Sequence, residues 1–149
     1  MLKIHPTAII GKEVKLGNDV EIGAYSVLQG NISIGDGTVL KSHVNIEGEV
    51  KIGSNNKIYP FVSIGTPPQD AKFENERSAV SIGNNNIIRE HVTINGGSKL
   101  GNSWKGITNE TIIGNNCYLY INAHIAHDVI LMNNITITNN VALAGHILI

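Results

Sequence analysis

The residues best suited to chemistry lie near the C-terminal end of the printed sequence. His124, His127 and Asp128 are close neighbours, and Gly145 and His146 follow further on. An imidazole within hydrogen-bond reach of a hydroxyl group can accept its proton while that hydroxyl attacks a thioester. A carboxylate can orient the imidazole and stabilise its charged form, and a backbone N–H can stabilise the oxyanion. These residue types suit acyl transfer, although a lone histidine in a sheet is more often structural.

A constant spacing connects these groups. Gly145 follows His127 by 18 residues, and His146 follows Asp128 by 18 residues. If one turn of the fold takes that many residues, the His127 imidazole lies beside the Gly145 backbone and Asp128 lies beside His146. Counting back across a one-residue insertion also places His91 in the column of Asp128, two turns earlier. We therefore predict that one corner of the fold collects His91, His127, Asp128 and His146.

A six-residue repeat predicts the elements that position these side chains. From Ile4 to Ile64 every sixth residue is Ile or Leu; the pattern returns at Ile82, and it resumes one residue out of step from Ile113 to Ile149. Four positions after most of these residues stands a small or β-branched residue. The period fits neither a helix nor a continuous strand. Three such units closing a triangular coil of about 18 residues are typical of a hexapeptide parallel β-helix, so we predict that both columns point inward and form the core.

The first interruption of the repeat, at about 66–80, contains two prolines, which cannot donate strand hydrogen bonds. It offers amide, carboxylate and ammonium groups at Gln69, Asp70 and Lys72. These groups could bind sugar hydroxyls and a phosphate, or the segment could simply be a solvated loop.

The second interruption, at about 96–110, contains the only tryptophan, Trp104. Trp104 could pack on a neighbour or a ligand, or it could shield the edge of the coil. Ser98, within the same segment, still occupies the small-residue position of the repeat. We treat residues 1–149 as one β-helix domain from which these two loops project.

The composition excludes several classes of protein. A net charge of −1 and a pI near 6.6 leave no basic footprint for nucleic acid. No apolar run approaches the roughly 18 residues of a membrane span, and the N-terminal residues have no apolar signal core, so we expect a cytoplasmic protein. The lone Cys117 excludes an intrachain disulfide and a cysteine-based metal site. Because Cys117 falls in the small-residue column, we expect it to be buried and inert.

Several motifs together resemble the UDP-N-acetylglucosamine 3-O-acyltransferases of lipid A synthesis, a family of hexapeptide-repeat enzymes. The resemblance covers essentially the whole chain, and the motifs that carry it are Ile121–Asp128, Leu143–His146, Gln69–Lys72, Ile4–Ile9 and Leu40–Val44. It implies an all-β, left-handed parallel β-helix. The handedness comes from the resemblance, because general crossover rules favour right-handed connections.

The resemblance also implies an activity and a set of roles. The family moves a 3-hydroxyacyl group from acyl carrier protein to the 3-hydroxyl of UDP-N-acetylglucosamine, with no metal ion and no cofactor, in trimers with clefts between subunits. By resemblance, His127 is the general base, Asp128 is its partner and the Gly145 N–H faces the oxyanion. The implied contacts to the sugar nucleotide are Gln69, Asp70, Lys72, His124 and His146.

Two departures from the family leave alternatives open. Asn95–Gly96 stands where a basic residue is expected in the second position, and the printed sequence stops at Ile149, before the further coils and C-terminal helical domain of the family. The missing part carries the acyl-chain measuring site and a basic surface for the carrier protein. One alternative is therefore a truncated, weakly active or inactive remnant that only folds and oligomerises.

Two other enzymes with this fold are further alternatives. A zinc enzyme could use His91, His124, His127 or His146. Against it, His124 and His127 are three positions apart, so strand alternation would point them to opposite sides. A related N-acyltransferase of the same biosynthesis normally has an extra N-terminal domain, whereas here the repeat begins at Ile4.

Overall fold

The computed structural model describes residues 1–149, and it contains short parallel strands and no helices. No element could therefore cross a membrane as a helix. The strands are β1 Lys3–Ile4, β2 Ile9–Ile10, β3 Lys15–Leu16, β4 Glu21–Ile22, β5 Val27–Ile34, β6 Val39–Leu40, β7 Asn45–Ile52, β8 Lys57–Ile58, β9 Ser63–Thr66, β10 Ala79–Ile82, β11 Ile87–Ile88, β12 Thr93–Asn95, β13 Glu110–Ile113, β14 Tyr118–Leu119, β15 His124–Ile125, β16 Ile130–Leu131, β17 Thr136–Ile137 and β18 Ala142–Leu143.

The register of the parallel ladders confirms the predicted coil. Ile4 pairs with Ile22, and Ile22 pairs with Leu40, so that one turn takes 18 residues. The chain is a left-handed parallel β-helix, as the resemblance implied. The spacing becomes larger only at the two interruptions. Ile52 pairs with Ile82, 30 positions further on, and Ile82 pairs with Ile113, 31 positions further on.

Both predicted inward columns form one core. Leu28, Ile46 and Ile125 are among the residues that are fully buried, and they belong to a cluster of 27 buried apolar residues. Cys117 lies in the same cluster, and burial raises the pKa of its thiol. Since a thiol of raised pKa remains protonated at neutral pH, this cysteine is a packing residue rather than a nucleophile.

Polar residues in the small-residue column form hydrogen bonds with backbone groups of the turns. Ser26, Thr38, Asn56 and Asn86 are all buried. Thr38 Oγ1 donates to the Gly53 carbonyl at 2.7 Å. Buried polar atoms are stable only when they are hydrogen-bonded, so these side chains compensate turn groups that the strand ladders leave unpaired.

Tight turns with residues in the left-handed backbone region form the corners of the triangular coil. One corner is a column of mostly asparagines, and a second holds Tyr25, His43, Phe61 and His91, all with positive φ. The rings of this second column stack with centroids 4.9–5.2 Å apart. Asparagine tolerates this conformation better than other side chains with a Cβ, which accounts for the many asparagines in the sequence.

Candidate active site

The His127–Asp128 pair lies where the chain turns sharply between β15 and β16. Asp128 has a φ of +61°, so its side chain and that of His127 converge after the strand ends. His127 Nδ1 and Asp128 Oδ2 are 2.8 Å apart. Asp128 is fully buried, and the His127 side chain is only 12% exposed. A buried carboxylate in this position fixes the orientation of the imidazole ring.

Three donors surround the Asp128 carboxylate. The Ser98 N–H donates to Oδ1 at 2.7 Å, the Ser98 hydroxyl donates to Oδ2 at 2.6 Å, and His127 Nδ1 is the third partner. The Asp128 N–H is bonded to Thr111 Oγ1 at 2.9 Å. These contacts compensate the cost of burying a charge.

Gly145 lies against the His127 imidazole on the next turn of the coil. A Cβ at position 145 would lie 2.5 Å from His127 Cε1 and 2.7 Å from Nε2, so only glycine fits there. The His146 N–H donates to the His127 carbonyl at 3.1 Å, and His146 Nδ1 is 3.6 Å from Asp128 Oδ2. The two contacts predicted from the 18-residue spacing, His127 with Gly145 and Asp128 with His146, are therefore present.

Hydrogen bonds at Nδ1 assign the tautomers of the neighbouring histidines. His146 Nδ1 bonds the Gly101 carbonyl at 2.7 Å and must be the donor. A carboxylate partner likewise makes His127 Nδ1 the donor, which leaves Nε2 as a proton acceptor when the ring is neutral. His124 Nδ1 is 2.7 Å from Thr93 Oγ1, and burial, followed by the charge of His127, lowers the pKa of His124.

A cleft of about 400 Å³ opens beside His127. Four of the residues predicted for the site, Gln69, His124, His127 and Gly145, line it together with Asn95. Asp70 reaches the same imidazole from the first loop, with its Oδ2 at 4.0 Å from His127 Nε2.

Two predicted residues lie just outside this cleft. Lys72 lines a neighbouring groove between the two loops, which it shares with Asp70 and Ser98. His146 lines a separate hollow with Trp104, and the edge of its ring meets the His127 ring with centroids 4.9 Å apart. Four of the eight predicted residues therefore line one cleft, Asp128 and Asp70 approach its His127 at 2.8 Å and 4.0 Å, and Lys72 and His146 line neighbouring hollows.

The prediction that His91 shares a column with Asp128 is wrong. Thr93 pairs with His124, which places His91 level with Asn122, at a different corner. His91 is exposed there and stacks on Phe61 at 5.2 Å. When whole six-residue units loop out of the coil, the Ile and Leu residues on either side remain separated by a multiple of six. Counting along the sequence therefore could not detect how many residues had left the coil.

The prediction that His124 and His127 point to opposite sides is also wrong, because both line the cleft. Strand β15 ends at Ile125, so the alternation on which the prediction depended stops before His127. Even so, the zinc set that distances would allow is a different one: His127, Asp128 and His146, whose ligand atoms lie within 4.8 Å of one another. Both Nδ1 atoms of that set already have hydrogen-bond partners.

Sequence reasoning missed the residues of the second loop that hold the site. The repeat predicts Ser98 in the core column, but strand β12 ends at Asn95, and Ser98 bonds Asp128 instead. Asn102 is buried, and its amide donates to the Asp128 carbonyl at 3.0 Å. The repeat does mark Ser98, but as a core position rather than as a partner of Asp128, and no periodic signal marks Asn102.

Comparisons with known proteins agree with this architecture. Residues 13–48 match the family described as bacterial transferase hexapeptide (six repeats). A protein of Thermodesulfovibrio yellowstonii described as acyl-[acyl-carrier-protein]–UDP-N-acetylglucosamine O-acyltransferase is 44% identical over 147 residues. That alignment covers 99% of this chain and 55% of the relative.

Solved structures give the same result. The UDP-N-acetylglucosamine acyltransferase of Bacteroides fragilis is 40% identical with a TM-score of 0.89, over 97% of this chain and 54% of that one. The corresponding enzyme of Campylobacter jejuni is 38% identical with a TM-score of 0.87, over 98% of this chain and 54% of that one.

Repeat, coil and register together define a left-handed β-helix of the hexapeptide-repeat class. Within that class the chain is similar, over nearly its whole length, to the UDP-N-acetylglucosamine acyltransferases. It spans about half the length of these relatives. The resemblance seen in the sequence is confirmed.

Proposed function

We propose that this chain carries the catalytic site of an acyltransferase that moves a 3-hydroxyacyl group from acyl carrier protein to the 3-hydroxyl of UDP-N-acetylglucosamine. The observation that carries the proposal is the His127–Asp128 pair packed against Gly145 of the adjacent coil, at the wall of an open cleft. The relatives named above supply the substrate class by similarity.

The proposed mechanism follows from the free atoms of the pair. His127 Nε2 accepts the proton of the sugar hydroxyl as its oxygen bonds to the thioester carbon, and Asp128 stabilises the resulting imidazolium through Nδ1–H. The Gly145 N–H donates to no group of the chain, so it is free to stabilise the oxyanion of the tetrahedral intermediate. When the C–S bond breaks, the imidazolium returns its proton to the leaving thiolate.

We assign the sugar-nucleotide contacts to residues at and beside the cleft. Gln69 and His124 line it, Asp70 borders it, and the ammonium of Lys72 lies along the neighbouring groove, where a phosphate could follow. His146 would act from its place beside the His127 ring. A homotrimer in the cytoplasm belongs to the same proposal, on resemblance alone, and light scattering tests the trimer.

A single-turnover assay with hydroxyacyl carrier protein and UDP-N-acetylglucosamine tests the proposal. We expect acylated sugar nucleotide from the parent chain and a loss of about 100- to 10,000-fold for His127→Ala, the usual contribution of a general base. His5→Ala is the matched control, since His5 is an exposed histidine at the other end of the coil and should leave the rate unchanged. Binding of UDP-N-acetylglucosamine without any transfer would support the alternative of an inactive remnant.

A further inference from the structure

The second loop, residues 96–109, holds the corner formed by Asp128 and His146. The Asn102 amide donates to the Asp128 carbonyl at 3.0 Å and approaches the carbonyls of His146 and Ile147 at 3.3 Å. The Gly101 carbonyl accepts the hydrogen bond of His146 Nδ1 at 2.7 Å. The loop therefore contacts both turns of the coil that meet at the proposed site.

Ser98 is the residue of this loop that reaches the carboxylate, and its own position is fixed. It is 3% exposed, and its carbonyl accepts the N–H groups of Gly101 at 3.1 Å and Asn109 at 2.7 Å. The preceding Gly97 runs so close to the backbone of Glu110 that a Cβ there would clash. The Ser98 hydroxyl thus has little freedom to turn away from Asp128.

The two hydrogen bonds of Ser98 restrict rotation of the carboxylate. One is made to each oxygen, at 2.7 Å and 2.6 Å, so the carboxylate plane is defined independently of the histidines. The free direction of Oδ2 then points to His127 Nδ1 at 2.8 Å, while His146 Nδ1 stays at 3.6 Å. Hydrogen bonds to an ionised group are short and strongly directional. Without the hydroxyl, only the Ser98 N–H restrains the carboxylate, which can then turn Oδ2 away from His127 Nδ1.

We propose that Ser98 is a positioning residue that fixes the Asp128 carboxylate and, through it, the tautomer and orientation of the His127 imidazole. The kinetic consequence rests on the proposed acyl transfer, whereas the tautomer is a property of the chain alone. The groups that face this imidazole are Asp128, Asp70, His124 and His146.

Nitrogen NMR of the histidine side chains, with the His127 signals assigned from a His127→Asn variant, measures the tautomer directly. In the parent chain and in Ser98→Thr, which keeps the hydroxyl, we expect His127 to carry its proton on Nδ1. In Ser98→Ala we expect a substantial population with the proton on Nε2. Ser98→Cys keeps the volume but donates weakly, so it should give an intermediate result and serves if the alanine variant does not fold.

The kinetic arm uses the same variants. We expect Ser98→Ala to lower kcat roughly tenfold with KM changed less than about twofold, since one charge-assisted hydrogen bond is lost, and Ser98→Thr to restore kcat. Ser103→Ala, an exposed serine of the same loop, is the matched control.

The two arms separate the failure of this inference from the failure of the proposed function. A His127 that keeps its proton on Nδ1 in folded Ser98→Ala and Ser98→Cys overturns the inference, whatever the rates are. An absence of acyl transfer by the parent chain, together with the expected tautomer change, overturns the proposed function and leaves the role of Ser98 intact.

Discussion

Replacing Gly145 with alanine tests the contact on which the proposed site depends. The new methyl group would lie 2.5 Å from His127 Cε1 and 2.7 Å from Nε2. Carbon atoms in contact prefer separations of about 3.5–4.0 Å, so the ring must move by about 1 Å. Gly145 is not among the glycines with positive φ, so the backbone itself accepts alanine. The substitution should therefore displace the imidazole and leave the coil folded.

The displacement converts into a loss of rate. A misplacement of about 1 Å in a catalytic group costs about 100-fold, which corresponds to about 2.7 kcal/mol in the activation free energy. We expect this loss in kcat for Gly145→Ala, measured by the transfer assay at saturating substrate. Gly11→Ala is the matched control: it is the same substitution, also without positive φ, and its nearest contact would be the Leu28 carbonyl at 3.2 Å, far from the cleft.

Histidine NMR supplies a second readout that does not need turnover. The His127 ring signals should shift in Gly145→Ala and remain at parental positions in Gly11→Ala. A folded Gly145→Ala protein with unchanged His127 signals and parental kcat would refute the stacking of these two residues on adjacent turns.

Two further substitutions test the electrostatics and the buried polar groups. Burial and the charge of His127 lower the pKa of His124 below its usual 6.5, so the unfolded chain binds a proton more readily than the folded one. The free energy of unfolding should therefore fall as the pH drops below about 6.5. In urea titrations at a series of pH values, the His124→Gln variant should lose the part of this fall that His124 causes. An identical pH dependence in the two proteins would contradict this. Asn86→Ala should cost about 2–5 kcal/mol in urea unfolding, because the Cys117 N–H and the Gly114 carbonyl each lose a buried partner. Asn84→Ala, whose exposed side chain also accepts a backbone N–H, is the control, and an equal cost at both positions would contradict the argument.

Prediction from sequence succeeded where the chain is uninterrupted. Between Ile113 and the end of the chain no residues leave the coil, so 18 positions along the sequence are one turn in space. That is why the neighbours of His127 and Asp128 could be counted directly. The count failed for His91 because the second loop lies between it and the site.

The loops are the part that counting could not place. Residue type alone indicated Gln69, Asp70 and Lys72. Gln69 lines the cleft and Asp70 borders it, whereas Lys72 lies only in the groove beside it. The repeat predicts only core packing for Ser98, and it gives no signal for Asn102. Their partners are set by how the loop folds back across two turns of the coil.

The sequence by itself determined the coil and its core. Ile or Leu at every sixth position can be buried in one continuous column when the chain forms this coil. The spacing along the sequence is therefore sufficient to predict the coil. Only the tertiary structure decided which polar groups hold Asp128 in place. A hydrogen bond requires two atoms within about 3 Å. The atoms of Ser98 and Asp128 meet at that distance from positions 30 residues apart because the second loop folds back onto the coil.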